Sequence, residues 1–200
     1  MPREVTAPIK TKFQIVGKEE VNHNCYIFKF KFDGPSFPLK MSQHFRLSEF
    51  FPTHKVPQGE EVAKYYTPIT TYKEFQSGVT LFLFKKIHTL IKVYRPQPPN
   101  YKGGRLGNYV NDLKIGDTIN VEGPFGKFAY EAPGRISVCP EYTSTTKKVA
   151  DVKRVFFIAA GTGLTPIYQT LLDIVSNPND KTEIILLFCN RKEHDIFLRK

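Results

Sequence analysis

Val155-Phe156-Phe157-Ile158-Ala159-Ala160-Gly161-Thr162-Gly163-Leu164-Thr165-Pro166 decides the fold of this chain, because the sequence period changes within it. Val155–Ala160 is a continuous apolar run, the pattern of a strand buried on both faces in a parallel sheet. Gly161-Thr162-Gly163 is a tight turn, and Thr165-Pro166 reads as an N-cap followed by proline at the first helical position. The helix Ile167–Val175 then carries Ile167, Leu171, Leu172 and Val175 as one buried stripe. Asn177-Pro178-Asn179-Asp180 stops it, and Glu183–Cys189 is a second buried strand. One complete β-α-β unit is predicted, with a second helix beginning near Lys192.

Upstream the period is two. Lys12–Val16, Tyr26–Phe32, His44–Leu47, Val79–Lys85, Leu90–Tyr94 and Thr118–Glu122 are short runs rich in β-branched and aromatic residues. Tyr26, Phe28, Phe30 and Phe32 fall on one face, with Lys29 and Lys31 on the other. Asp33-Gly34-Pro35, Pro57-Gln58-Gly59 and Ser77-Gly78 punctuate them, which suggests an antiparallel barrel or sandwich. The predicted class is β followed by α/β. Residues 1–134 form the barrel, a polar, threonine-rich connection covers 135–152, and a partial α/β lobe covers 153–200.

The 200 residues suffice for a sizeable core, and 29 Lys and Arg against 19 Asp and Glu give a net charge of +10. That excess suggests an acidic partner: a protein, an anionic membrane surface or nucleic acid. Cys25, Cys139 and Cys189 are odd in number and far apart, so neither a disulfide scaffold nor a zinc knuckle is expected, and a reducing compartment is the natural reading. No apolar run approaches the roughly 18 residues of a spanning helix. Met1-Pro2-Arg3-Glu4-Val5 has no apolar core of a signal, so a targeting segment is expected to be absent or removed.

Side-chain catalysis finds little support. His23, His44, His54, His88 and His194 have no metal-ligand spacing, and no metal site is expected. There is no G-x-S-x-G elbow, and Gly161 and Gly163 complete neither a Walker loop nor G-x-G-x-x-G. Such a chain points to a cofactor that does the chemistry. A nucleic-acid platform on the aromatic strands with Lys29 and Lys31 leaves the β-α-β unit without a role, so nucleic acid is not an expected partner.

Three segments, in order, carry a family resemblance. They are Lys64-Tyr65-Tyr66-Thr67-Pro68-Ile69-Thr70; Ile91-Lys92-Val93-Tyr94 with Gly103-Gly104-Arg105-Leu106-Gly107-Asn108 and Gly123-Pro124-Phe125-Gly126; and Gly161–Pro166 with Leu187-Phe188-Cys189-Asn190 and Asp195-Ile196-Phe197-Leu198-Arg199. Together they resemble the NADH–cytochrome b5 reductase family, within the ferredoxin–NADP reductase superfamily. The resemblance implies an FAD-binding barrel followed by a nucleotide-binding lobe. It assigns Lys64 to the FAD pyrophosphate, with Tyr65 beside it, Tyr66 to the flavin face and Thr67 to the neighbourhood of the reactive flavin nitrogen as the catalytic hydroxyl. Ile91, Lys92 and Tyr94 flank the flavin and ribityl chain, while Gly104, Arg105, Leu106, Gly107 and Asn108 offer backbone N–H groups to the phosphates. Thr165 approaches the flavin, and Gly161, Thr162, Gly163 and Asn190 are assigned to NADH. Taken singly, Tyr66 and Tyr94 read more readily as barrel core, and Gly161-Thr162-Gly163 as an ordinary strand-to-helix turn; the order of the segments reverses that.

Three departures matter. Lys64 stands where the family has Arg and lacks its bidentate fork. Gly107 stands where a Ser hydroxyl is usual. The chain reaches Lys200 before the late C-G-P-P segment of the family, which leads us to expect a truncated lobe whose sheet edge something else covers. Two functions follow. One is an FAD-dependent reductase passing electrons from NADH to a haem or iron–sulfur acceptor, docked through the basic surface. The other is a reductase-derived accessory subunit of a larger, for example respiratory, assembly that has lost NADH activity. A mitochondrial location and peripheral membrane contact stay open in both.

Overall fold

The computed structural model describes residues 8–32, 37, 39, 42–70, 86–99, 101–139 and 148–199. Its amino-terminal part is a curled antiparallel sheet of six strands: β1 (Ile9–Asn22), β2 (Cys25–Phe32), β3 (His44–Phe51), β4 (Glu60–Tyr66), β5 (Lys86–Lys92) and β6 (Thr118–Phe125). Their spatial order is β4-β3-β6-β1-β2-β5. The alternation seen in the sequence becomes burial alternation, with Phe28, Phe30 and Phe32 inside and Lys29 and Lys31 half-buried beside them. Inside the curl, Phe13 meets Phe30, Phe37 and Phe45 at ring-centroid separations of 5.0–5.9 Å. These edge-on and tilted contacts suit aromatic quadrupoles and fill the barrel without polar atoms.

The run Val79–Lys85, expected as a strand, lies outside the described residues. An eight-residue helix, α1 (Arg105–Asp112), closes one end of the sheet by burying Leu106 and Val110, one turn apart. Gly103 makes this approach feasible. Its φ is +77°, and a Cβ there would sit 2.7 Å from the Tyr94 carbonyl oxygen and 2.8 Å from the Pro96 nitrogen.

The expected polar connection is more structured than its composition suggests. Arg135–Val138 (β8) and Lys148–Asp151 (β9) form a three-stranded antiparallel sheet with Phe128–Ala132 (β7). Every residue of β9 is exposed, so the strand is held by backbone pairing with β8 and leaves no hydrophobic pattern in the sequence.

The β-α-β unit follows as predicted: β10 (Arg154–Ala160), a 3-10 turn over Gly161–Leu164, α2 (Thr165–Ser176) and β11 (Glu183–Cys189), with β10 and β11 parallel. Four details differ. Strand β10 is buried on one face only: Phe157 and Ala159 are inside, whereas Phe156 is 58% and Ile158 70% exposed. Among the described residues this sheet has two strands, and the face toward the barrel is the covered one, where Ala159 packs with Leu164, Phe197, Cys25 and Leu90. The cap of α2 is Leu164, and the Thr165 hydroxyl bonds the Thr162 carbonyl at 3.0 Å instead of capping a helical N–H. The buried side of α2 is Thr165, Gln169, Thr170 and Ile174, with Val175 exposed. That face is polar because it meets barrel loops: the Gln169 amide donates to the Thr70 carbonyl at 2.6 Å, and the Ser42 and Thr170 hydroxyls lie 2.6 Å apart. Near Lys192 the chain makes a 3-10 turn, Glu193–Asp195, in place of the expected start of a helix. Among the described residues no helix is long and apolar enough to cross a membrane.

Candidate functional site

The end of β4, the end of β5, the first turn of α1 and the first turn of α2 converge on one cleft of about 680 Å³. The volume lies within the range of small-molecule sites, which favour seams between structural units. From β4 the cleft receives Lys64, Tyr65, Tyr66 and the following Thr67; from β5 and its extension, Lys92 and Tyr94. Helix α1 contributes Gly104, Arg105, Leu106 and Gly107, and the turn into α2 contributes Thr162, Gly163 and Thr165.

The local reasons are sequential. The Gly103 turn lets Gly104 donate its N–H to the Tyr94 carbonyl at 2.8 Å, fixing the start of α1 beside the end of β5. The Asn108 amide reinforces this with bonds to the carbonyls of Tyr94 at 2.9 Å and Gly104 at 2.7 Å. Gly104 brings no side-chain cap, and no acidic residue occupies the first turn of α1, so the positive end of this helix faces the cleft. A Cβ on Gly163 would meet nothing within 4 Å, so the second turn also leaves open backbone. Lys64, Lys92 and Arg105 surround this space, although Arg105 already pairs with Glu60 at 3.2 Å and Lys92 lies 3.8 Å from Asp195. Two backbone cradles ringed by cations suit an elongated ligand with a diphosphate centre.

Burial sets two protonation states. The Tyr66 phenol is pushed up to about 12, so it remains a hydroxyl donor at neutral pH. Burial lowers the His44 imidazole below its ordinary value, favouring the neutral ring; it packs edge-on against Tyr65 at 5.4 Å. Thr67 is 6% exposed, so its hydroxyl meets the cleft from a dry wall.

Four sequence-assigned residues do not line the cleft. Ile91 is in the barrel core with no exposed surface, leaving only its backbone near the site. Asn108 spends its amide on the α1 turn. Gly161 lies outside the lining, with φ +49°, and Asn190 lies at the end of β11 with both side-chain polar atoms buried and without partners. The sequence reading missed His44, Val62, Leu90 and Pro166 as lining residues. The register offered a signal for His44, because the next residue, Phe45, pairs with Tyr66.

A fold with a curled barrel, an α/β extension and a cationic cleft at their seam is the architecture of flavin- and pyridine-nucleotide-dependent oxidoreductases. A family described as "Oxidoreductase FAD-binding domain" matches residues 12–130, and one described as "Oxidoreductase NAD-binding domain" matches residues 157–200. The chain belongs to this family of FAD- and NAD-binding oxidoreductases. It is 32% identical over 194 residues to the Homo sapiens protein named NADH-cytochrome b5 reductase 2, covering 96% of this chain and 65% of that one. It is 34% identical over 204 residues to the Danio rerio protein of the same name, covering 100% of this chain and 61% of that one. The crystal structure of the cytochrome b5 reductase domain of Ulva prolifera nitrate reductase matches with a TM-score of 0.78 at 30% identity, covering 96% of this chain and 66% of that one. The chain therefore spans a little under two thirds of the length of these relatives.

Proposed function

We propose that this protein is an FAD-dependent reductase of the NADH–cytochrome b5 reductase type, passing electrons from NADH to a haem or iron–sulfur acceptor. The observation that carries this reading is the cleft at the seam, where Lys64, Tyr66 and Thr67 face the turn of Thr162, Gly163 and Thr165. When bound there, FAD would supply the step from two-electron to one-electron transfer, which no side chain provides.

The residues of the chain supply binding and orientation. Lys64 and the first turn of α1 hold the pyrophosphate; lysine does so as a point charge, without the fork of arginine. Tyr66 presents a neutral phenol to the isoalloxazine, and Thr67 donates from a dehydrated wall. Lys92 and Tyr94 border the ribityl side. Gly163 leaves room for the second nucleotide beside Thr165.

The +10 charge favours an acidic acceptor, with association rates that fall as salt rises. Three free thiols, one of them exposed, fit a reducing compartment.

The test is an absorption spectrum of the purified chain with FAD, before and after anaerobic NADH. A flavin spectrum that bleaches is expected. Absence of bound flavin overturns the reading, and bound flavin that NADH leaves oxidised removes NADH from it. Lys64→Ala is expected to weaken FAD binding about 10-fold, the scale of one charge-assisted contact, as measured by flavin fluorescence titration. Unchanged affinity would release Lys64 from the pyrophosphate.

A further inference from the structure

Outside the cleft, the fold brings together three potential ligands that no sequence spacing announces. His23 sits at the tip of the β1–β2 turn, while His194 and Asp195 lie in the 3-10 turn after β11. Their ligand atoms all lie within 4.8 Å of one another, and His23 Nε2 is 3.7 Å from Asp195 Oδ1. The two imidazoles meet at a centroid separation of 5.2 Å and an interplanar angle of 71°.

The cluster is built rather than casual. The Asn22 side chain ties both segments: its oxygen accepts from the N–H groups of Asn24 at 3.1 Å and Cys25 at 2.9 Å. Its amide donates to the His194 carbonyl at 3.3 Å. One residue therefore shapes the turn that carries His23 and anchors the turn that carries His194. The imidazoles are exposed, so an ion has a path in, whereas the Asp195 side chain is only 13% exposed and gives a fixed carboxylate.

We infer that His23, His194 and Asp195 form a binding site for a divalent transition metal of the zinc type, clamping the barrel to the β-α-β unit. Two imidazoles and one carboxylate suit zinc, which takes such donors at about 2.0–2.2 Å with water in a fourth position. Tetrahedral packing at those lengths sets donors about 3.3 Å apart, so His23 and Asp195 need close by only a fraction of an ångström. Magnesium and calcium prefer all-oxygen shells and are disfavoured. Binding exchanges one existing contact, the Asn24 amide 2.8 Å from His23 Nε2, for the metal. It also draws on the carboxylate that Lys92 shares at 3.8 Å, which loosens Lys92 toward the cleft it lines.

The experiment is calorimetric titration of the full chain with zinc chloride, paired with the visible spectrum of the chain loaded with cobalt(II). One equivalent of zinc, a rise in Tm on adding it, and the intense visible bands of four-coordinate cobalt are expected. His194→Ala and His23→Ala should each weaken zinc binding about 10-fold or more, while His54→Ala, at an exposed loop position, should leave it unchanged. His194 lies on an exposed turn, so far-UV circular dichroism confirms that its variant is folded. Zinc affinity equal in His194→Ala and the parent chain would overturn the site. So would a cobalt spectrum no stronger than that of the aqueous ion, which requires no variant. None of these readouts depends on flavin or NADH.

Discussion

The barrel and the β-α-β unit bury their apolar residues in different ways. In the barrel, Phe13, Phe28, Phe37 and Phe45 are at most 1% exposed, and the sheet curls around them. In the β-α-β unit, residues of one strand divide: Phe157 and Ala159 pack inward, while Phe156 and Ile158, with Leu187 beside them on β11, stand largely in solvent. The first region makes its own interior. The second borrows one, through the cluster in which Leu164 and Phe197 meet Cys25 and Leu90. The cleft lies where the borrowing occurs, so the geometry of the nucleotide turn depends on the barrel.

That contrast can be broken at several points. Phe45→Ala opens a void against Phe13 in a dry core and should cost about 3–5 kcal/mol, read as a fall in the urea midpoint. A loss under about 1 kcal/mol would mean that the barrel is not the stable body. Leu164→Ala removes a side chain from the shared cluster and should cost about 2–4 kcal/mol. Hydrogen exchange should accelerate in α2 and leave the backbone of β1 and β6 protected; equal acceleration everywhere would merge the two regions into one cooperative unit.

A pH comparison is finer. Tyr66 ionises at 10.0 ordinarily and at about 12 in the folded chain, so the unfolded chain loses that proton first. The resulting stability is fully present below pH 10 and is lost as pH rises toward 12. Tyr66→Phe escapes the loss, so the stability difference between the two proteins should shift toward the variant by on the order of 1 kcal/mol at pH 11. A difference that stays constant from pH 9 to 11 would argue against the buried phenol. The smallest effect belongs to Ile158→Thr, within about 0.5 kcal/mol, because the side chain is 70% exposed. A cost of about 2 kcal/mol would reveal that this face is covered within the chain.

Elements with strong patterns were legible. The reading placed Glu183–Cys189 with the bounds it has in the structure and found the core of β2 from its alternating aromatics. Strand β4 is not legible as a strand, because Glu60-Glu61-Val62-Ala63-Lys64 carries little β propensity and forms by pairing with β3. Strands β8 and β9 leave no apolar alternation to read, because Ser137 is the buried residue of β8, Val138 is exposed, and every residue of β9 is exposed. The buried face of α2 was misassigned because hydrogen-bonding residues, Gln169 and Thr170, occupy it where an apolar stripe was expected. At the cleft, Lys64, Tyr66, Thr67 and the turn Thr162-Gly163 were found through motif order. His44 belongs to no motif and emerges only from strand pairing, whereas His23 meets His194 and Asp195 only through the packing of two turns from separate sheets.

The strand order has a consequence for synthesis. Strand β6 lies between β3 and β1, pairing Ile9 with Gly123 and Leu47 with Val121. On the ribosome, the β1–β2 hairpin and the β3–β4 hairpin emerge early, as two half-sheets with an open seam between them. Neither can join the other until a strand made long afterwards slides into that seam, and closing so large a loop is slow. The nascent chain therefore carries exposed strand edges until β6 has been made, and Phe125 marks the point at which the two half-sheets can first join.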